Sequence, residues 1–199
     1  MTKIGVLALQ GDFLEHKKIL VEIGADVKEV RLPEHLNDVE GLIIPGGEST
    51  TIVQLIDIYK LRKPLKELTA QGLPIWGTCA GMIVMSNKLT DEYPKPLKLM
   101  NITVSRNAFG RQLDSFETTL TISGLDNRKY HAVFIRAPSV CEMGENVQVI
   151  AKLEDGTPVA VKEDNTIATS FHPELTNDNR MHQYFLKIVE DQKFKHRLI

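Results

Sequence analysis

Leu73-Pro74-Ile75-Trp76-Gly77-Thr78-Cys79-Ala80-Gly81 joins an apolar run to a thiol flanked by glycines. Leu73 to Trp76 has the length and texture of a short buried strand, and Met82-Ile83-Val84-Met85 beyond it is helix-compatible. The segment therefore predicts a strand, a sharp turn and a helix, with Cys79 at the apex. This is the pattern of a nucleophile elbow with Cys in place of Ser. A residue at such a tip is held in strained backbone, and its neighbours must be small for strand and helix to approach. A helix N-terminus facing the sulfur favours thiolate over thiol. Read alone, Cys79 is equally open to being a buried structural cysteine.

The N-terminal half repeats this alternation. Ile4 to Leu9 is a nearly continuous apolar run, as expected of a central parallel strand covered on both faces. Asp12 is placed to cap a helix from Phe13 to Ile23 that stops at Gly24. Ala25 to Val30 and Gly41 to Ile44 read as further strands. Pro45-Gly46-Gly47-Glu48 closes the second of these, and Ser49 or Thr50 is expected to cap the next helix, through Tyr59. A helix around Pro64 to Ala70 leads into the elbow. Strands alternating with helices across short glycine-bearing loops predict a three-layer α/β fold around a mostly parallel sheet. Ligands of such sheets sit at the carboxyl ends of the strands, where Gln10-Gly11, Gly46-Gly47 and Cys79 all fall.

After about Asn87 the texture changes to strand-like stretches separated by turn signals: Leu99 to Val104, Ser115 to Ile122, Ala132 to Ile135, Val147 to Leu153, Pro158 to Lys162 and Thr166 to Ser170. Asp155-Gly156 and Asp164-Asn165 read as hairpin turns. This half is expected to extend the same core in antiparallel fashion, so that residues 1–199 form a single domain. A final helix carries the apolar stripe Met181, Tyr184, Phe185, Ile188 and Val189, and the basic tail Lys193 to Arg197 is expected to fray.

Composition narrows the function. Of 199 residues, 42% are apolar and 25% charged, with a net charge of −2 and no long block of one sign, so neither nucleic acid nor a membrane surface is an expected partner. No secretory leader or bilayer-length apolar run is visible, and the two cysteines, Cys79 and Cys141, are expected to stay reduced in a cytoplasm.

A nucleophilic thiol needs a base and a group that orients the base. His172-Pro173-Glu174 offers both: extended chain around the proline puts His172 and Glu174 on one side, and the carboxylate can fix the imidazole. Cys79, His172 and Glu174 thus make a chemically complete triad. Backbone N–H groups of Gly46-Gly47-Glu48 and of Ala80 can serve as oxyanion donors, although the glycine loop reads also as an ordinary turn or a phosphate cradle. Arg106 and Arg136 are each open to a solvated role or to binding a substrate carboxylate. His16 lies in a helix among charges, His35 in a loop, His131 ahead of a strand, and His182 and His196 near the C-terminus. None has metal-ligand spacing with a cysteine, and no metal is expected.

With these motifs assembled, the chain resembles the class I glutamine amidotransferase family, whose flavodoxin-like fold the resemblance implies. The Pro-Gly-Gly-Glu-Ser loop at 45–49, Gly-Thr-Cys-Ala-Gly at 77–81 and Phe-His-Pro-Glu at 171–174 occur in that family's order. A narrower set is similar to the branch of glutaminase subunits that serve pyridoxal 5′-phosphate synthases: Ala8-Leu9-Gln10-Gly11, Pro45 to Thr51, Arg106 to Gln112, Phe134 to Pro138 and Ser170 to Leu175. The resemblance implies hydrolysis of L-glutamine to glutamate and ammonia. Cys79 would be the nucleophile forming a γ-glutamyl thioester, His172 its base and Glu174 the orienting acid. Gly47, Glu48, Ser49, Arg106, Ile135 and Arg136 would line the glutamine site. It also implies a hetero-oligomer with a synthase subunit that receives the ammonia, no cofactor on this chain, and pyridoxal 5′-phosphate as the product of the complex. Docking of that partner would complete the oxyanion hole by turning the Gly46–Gly47 peptide. A glutaminase serving another synthase and a catalytically silent flavodoxin-like module are the rival readings.

Overall fold

The structure, a computed structural model, describes residues 1–106 and 115–197. The stretch from Asn107 to Gln112 in the arginine-bearing motif lies outside them. The chain runs through β1 (Lys3–Leu7), α1 (Phe13–Glu22), β2 (Asp26–Val30), β3 (Gly41–Ile44), α2 (Ser49–Ile58), α3 (Arg62–Ala70), β4 (Ile75–Thr78), α4 (Ala80–Met85), β5 (Ser86–Leu89) and β6 (Met100–Ser105). It continues with β7 (Ser115–Leu120), β8 (Tyr130–Ile135), β9 (Ser139–Met143), β10 (Gln148–Lys152), β11 (Pro158–Glu163), β12 (Thr166–Thr169) and α5 (Arg180–Arg197).

The central sheet has seven strands in the order β10-β11-β12-β4-β3-β1-β2. From β12 to β2 every pairing is parallel, and β10 and β11 add an antiparallel edge. Parallel strands buried on both faces read as continuous apolar runs. Gly41–Ile44 and Ile75–Thr78 are accordingly buried at every position. One face carries Ile4, Val6, Ile43 and Trp76 against Leu20 of α1 and Met181, Phe185 and Val189 of α5. The other carries Leu7, Leu42, Ile44 and Ile75 against α2, α3 and α4.

The C-terminal strands are more divided than expected. Besides the antiparallel edge, β5-β6-β9 and β7-β8 form separate sheets. Ser86–Leu89 and Ser139–Met143 were not expected as strands, since their polar and broken patterns carry no clear alternation. The β7-β8 hairpin lays Leu120, Tyr130 and Phe134 on the core beside Phe171, covering the start of the His172 loop. The expected frayed tail is part of α5, where Lys193 pairs with Glu40 at 2.6 Å.

Because β1, β3, β4 and β12 are parallel, their carboxyl ends lie along one edge of the sheet. Gln10-Gly11, Gly46-Gly47, Cys79 and the His172 segment leave from that edge.

Candidate active site

Strand β4 ends at Thr78 and α4 starts at Ala80, so Cys79 makes the whole turn, with φ 48° and ψ −106°. For a non-glycine residue this left-handed backbone is strained and persists only where its surroundings impose it. The surroundings are specific. The Cys79 N–H donates to the Thr169 carbonyl at the end of β12, at 2.8 Å. A Cβ at Gly77 would lie 2.6 Å from the Gly81 backbone, and one at Gly81 would overlap the Ile44 carbonyl oxygen. The two glycines therefore allow α4 to sit directly on β3 and β4.

His172 is delivered by the loop after β12 and pinned by its N–H to the Val133 carbonyl of β8, at 2.8 Å. Pro173–Leu175 forms a short 3-10 turn, not the extended chain expected. Proline at the first position of the turn needs no N–H partner, and the turn carries Glu174 back beneath the ring. The outcome is the expected pairing by another route: His172 Nδ1 stands 2.7 Å from Glu174 Oε1. Both residues are buried, and Cys79 is 7% exposed. Burial alone would push the His172 pKa down. Hydrogen bonds and charge from Cys79 and Glu174 outweigh it and raise the imidazole to about 10. Burial raises Glu174, against the pull of His172.

The glycine loop after β3 is held from the Gln10–Asp12 turn. The Gly46 carbonyl accepts from the Asp12 N–H at 3.1 Å. The Glu48 N–H donates to Gln10 Oε1 at 2.7 Å, so of the four expected oxyanion donors Glu48 is occupied. Gly46 has to be glycine: a Cβ would stand 2.6 Å from His172 Cε1. Ala80, the remaining expected donor, is the first residue of α4. Asp12 precedes α1 but makes no side-chain cap; its carboxylate lies 3.5 Å from His172 Nδ1.

Neither Ser49 nor Thr50 caps α2. Glu48 does, accepting from the N–H groups of Thr50 at 3.0 Å and Thr51 at 2.6 Å. These bonds hold its carboxyl below the usual range despite partial burial. Arg106 reaches the same carboxylate at 3.5 Å and donates to the Tyr93 carbonyl. Ile135 offers its carbonyl to Cys79 Sγ at 3.7 Å. Arg136 follows it at the end of β8 with φ 43°. The expected ligands Gly47, Glu48, Ser49 and Arg106 thus share one loop cluster, with Ile135 and Arg136 across the thiol. Among the described residues, one group could hold a cation, Asp12 with His172 and Glu174, and it is this same site. Cys141 is free and exposed.

Residues 6–191 match the SNO glutamine amidotransferase family. The chain belongs to this family. A pyridoxal 5′-phosphate synthase subunit PdxT from Dehalococcoides mccartyi is 55% identical over 96% of this chain and 99% of its own length. Its counterpart from Roseiflexus castenholzii is 52% identical over 93% of this chain and 99% of its own. A crystal structure described as a glutamine amidotransferase superposes with a TM-score of 0.89 at 46% identity, covering 94% of this chain and 98% of the other. Among the described residues, no helix is long and apolar enough to cross a membrane.

In this amidotransferase, sequence reasoning passed over two histidines. His16 and His182 are fully buried behind the triad, in edge contact with Trp76. Burial, then His182 and His172 nearby, hold His16 well below its ordinary 6.5, and burial alone lowers His182 to about 3. Between pH 6.5 and 3 the unfolded chain therefore takes up a proton at His182 that the folded chain refuses. That contribution to stability is complete above 6.5 and is lost as pH falls through this window. Glu174, with its raised pKa, acts in the opposite sense. In His182→Phe this contribution is absent, so wild type should lose its urea midpoint more steeply below pH 6.5 than the variant. Equal slopes would contradict burial as a neutral ring.

Proposed function

We propose that this chain is the glutaminase subunit of a pyridoxal 5′-phosphate synthase, hydrolysing L-glutamine and passing ammonia to a synthase subunit. The observation that carries the reading is the strained Cys79 elbow beside the buried His172–Glu174 pair. The near full-length likeness to the PdxT subunits supports the choice of synthase.

The mechanism follows from the geometry. His172, aimed by Glu174, takes the proton of the Cys79 thiol as general base, and the carboxylate stabilises the imidazolium that forms. The thiolate attacks the side-chain amide carbon of glutamine. Negative charge moves to the amide oxygen, to be received by the N–H of Ala80 and by the Gly46–Gly47 loop once its peptide has turned. The carbon–nitrogen bond then breaks as His172 protonates the nitrogen, releasing ammonia and leaving a γ-glutamyl thioester on Cys79. Water attacks the thioester, His172 takes its proton, and glutamate leaves as the thiolate returns. Glu174 keeps the imidazole aimed and offsets its positive charge throughout. Gly47, Glu48, Ser49, Arg106, Ile135 and Arg136 hold the substrate, Arg106 suiting an α-carboxylate.

No cofactor takes part in these steps. Pyridoxal 5′-phosphate is the product of the complex, residues 1–199 act as one glutaminase domain, and the reduced thiol fits a cytoplasmic setting. Acid quenching of the complex during turnover, followed by mass spectrometry of its peptides, tests the scheme. One γ-glutamyl group on the Cys79 peptide is expected; an adduct elsewhere, or none under steady turnover, would refute covalent catalysis at Cys79.

A further inference from the structure

Glu174 Oε1 faces His172, but its other oxygen is buried without a hydrogen bond of ordinary geometry. A carboxylate oxygen left so is costly and free to rotate out of register. The polar atom set against it is Nε2 of His16, at 3.3 Å. The same nitrogen is 3.1 Å from Thr78 Oγ1, on the last residue of β4 before Cys79. On its far side, His16 Nδ1 stands 3.0 Å from His182 Nε2.

These contacts fix the tautomers. His182 Nδ1 has no hydrogen-bond partner, and a bare lone pair in apolar surroundings costs less than an unpaired N–H. The proton of His182 therefore sits on Nε2 and is donated to His16 Nδ1. That leaves His16 with its proton on Nε2, bonded to Thr78 Oγ1, with Glu174 Oε2 3.3 Å away. Burial keeps both rings neutral. A neutral donor steadies the carboxylate without cancelling the charge that His172 needs.

We propose that His16 is a positioning residue for the proposed Cys79–His172–Glu174 machinery, its Nε2–H holding Glu174 so that Oε1 meets His172 and tying that carboxylate to the strand that bears the elbow. His182 acts behind it by fixing the His16 tautomer. The inference rests on the glutaminase reading and assigns a role to a helix, α1, whose sequence shows a histidine among charges.

Two polar variants separate positioning from packing. Glutamine at 16 can extend an N–H to about the place of the imidazole Nε2, and asparagine falls short. In the complex, His16→Asn should lower kcat by about 10- to 100-fold, with KM for glutamine unchanged, while His16→Gln should stay within about threefold of wild type. Circular dichroism and melting temperature check that both are folded. Wild-type kcat in His16→Asn, or an equal fall in both variants, would overturn the role. Wild-type protein with no glutaminase activity at all would instead refute the functional reading beneath it.

Discussion

Replacing Cys79 with alanine is expected to lower glutamine hydrolysis by the assembled complex by on the order of 10⁶-fold, to background. The loss should be that large because the proposed scheme runs through a thioester that only Cys79 can form. The oxyanion donors and substrate ligands remain in Cys79→Ala, but they have no covalent step to stabilise. The substitution also removes little from the fold, since the turn is set by the Thr169 carbonyl and by the close approach at Gly77 and Gly81. Alanine inherits the positive φ of 48° that cysteine already carries, so the melting temperature should change little. Steady-state ammonia release with purified partner reads the effect. Activity at the wild-type level would remove Cys79 from the mechanism.

The second large effect is expected at Gly11, a residue that touches no substrate in the proposed scheme. Gly11 has φ 95°, and a Cβ there would overlap the Gly46 carbonyl oxygen. That carbonyl is the one held by the Asp12 N–H, while Gln10 holds Glu48. The turn at 10–12 therefore sets the conformation of the glycine loop at 46–48, the proposed oxyanion loop. In the proposed activation the Gly46–Gly47 peptide turns, giving up the Asp12 hydrogen bond at a net cost of about 1 kcal/mol. Gly47, with φ 147°, already occupies backbone that favours glycine. Gly11→Ala forces the Gly46 carbonyl aside and leaves the donors misplaced. Loss of one oxyanion donor typically costs about 10²- to 10³-fold in kcat, and a fall of that size in the complex is the expected result. Undiminished activation by the partner would show that the loop is not set from this turn.

The parallel half of the fold was legible because its central strands are buried on both faces, and buried runs such as Gly41–Ile44 need no partner to be recognised. The elbow was legible because Gly77, Cys79 and Gly81 are spaced by steric need. The divided sheets of the second half were not, since strands like Ser86–Leu89 owe their existence to pairing with Met100–Ser105 rather than to their own pattern. The cap of α2 was misread for a related reason. Glu48 outcompetes Ser49 because its longer side chain reaches two N–H groups, and Arg106, distant in sequence, pairs with it. His16 had a signal that charge obscured: with Ile19 and Leu20 it lies on the one buried face of α1. His182 likewise shares a face with Phe185 and Val189. A polar residue on an apolar stripe is worth following when the stripe packs beneath a strand that ends at a candidate nucleophile.

Ammonia release from L-glutamine by the wild-type chain, measured with and without a purified synthase subunit under the same conditions, bears on all of these points at once. Little release from the chain alone and a rise of about 10²- to 10³-fold on adding the partner is the expected result, because one step then completes the oxyanion site around an elbow already built. Full activity without the partner would contradict the idle elbow, and no release with the partner present would contradict the glutaminase itself.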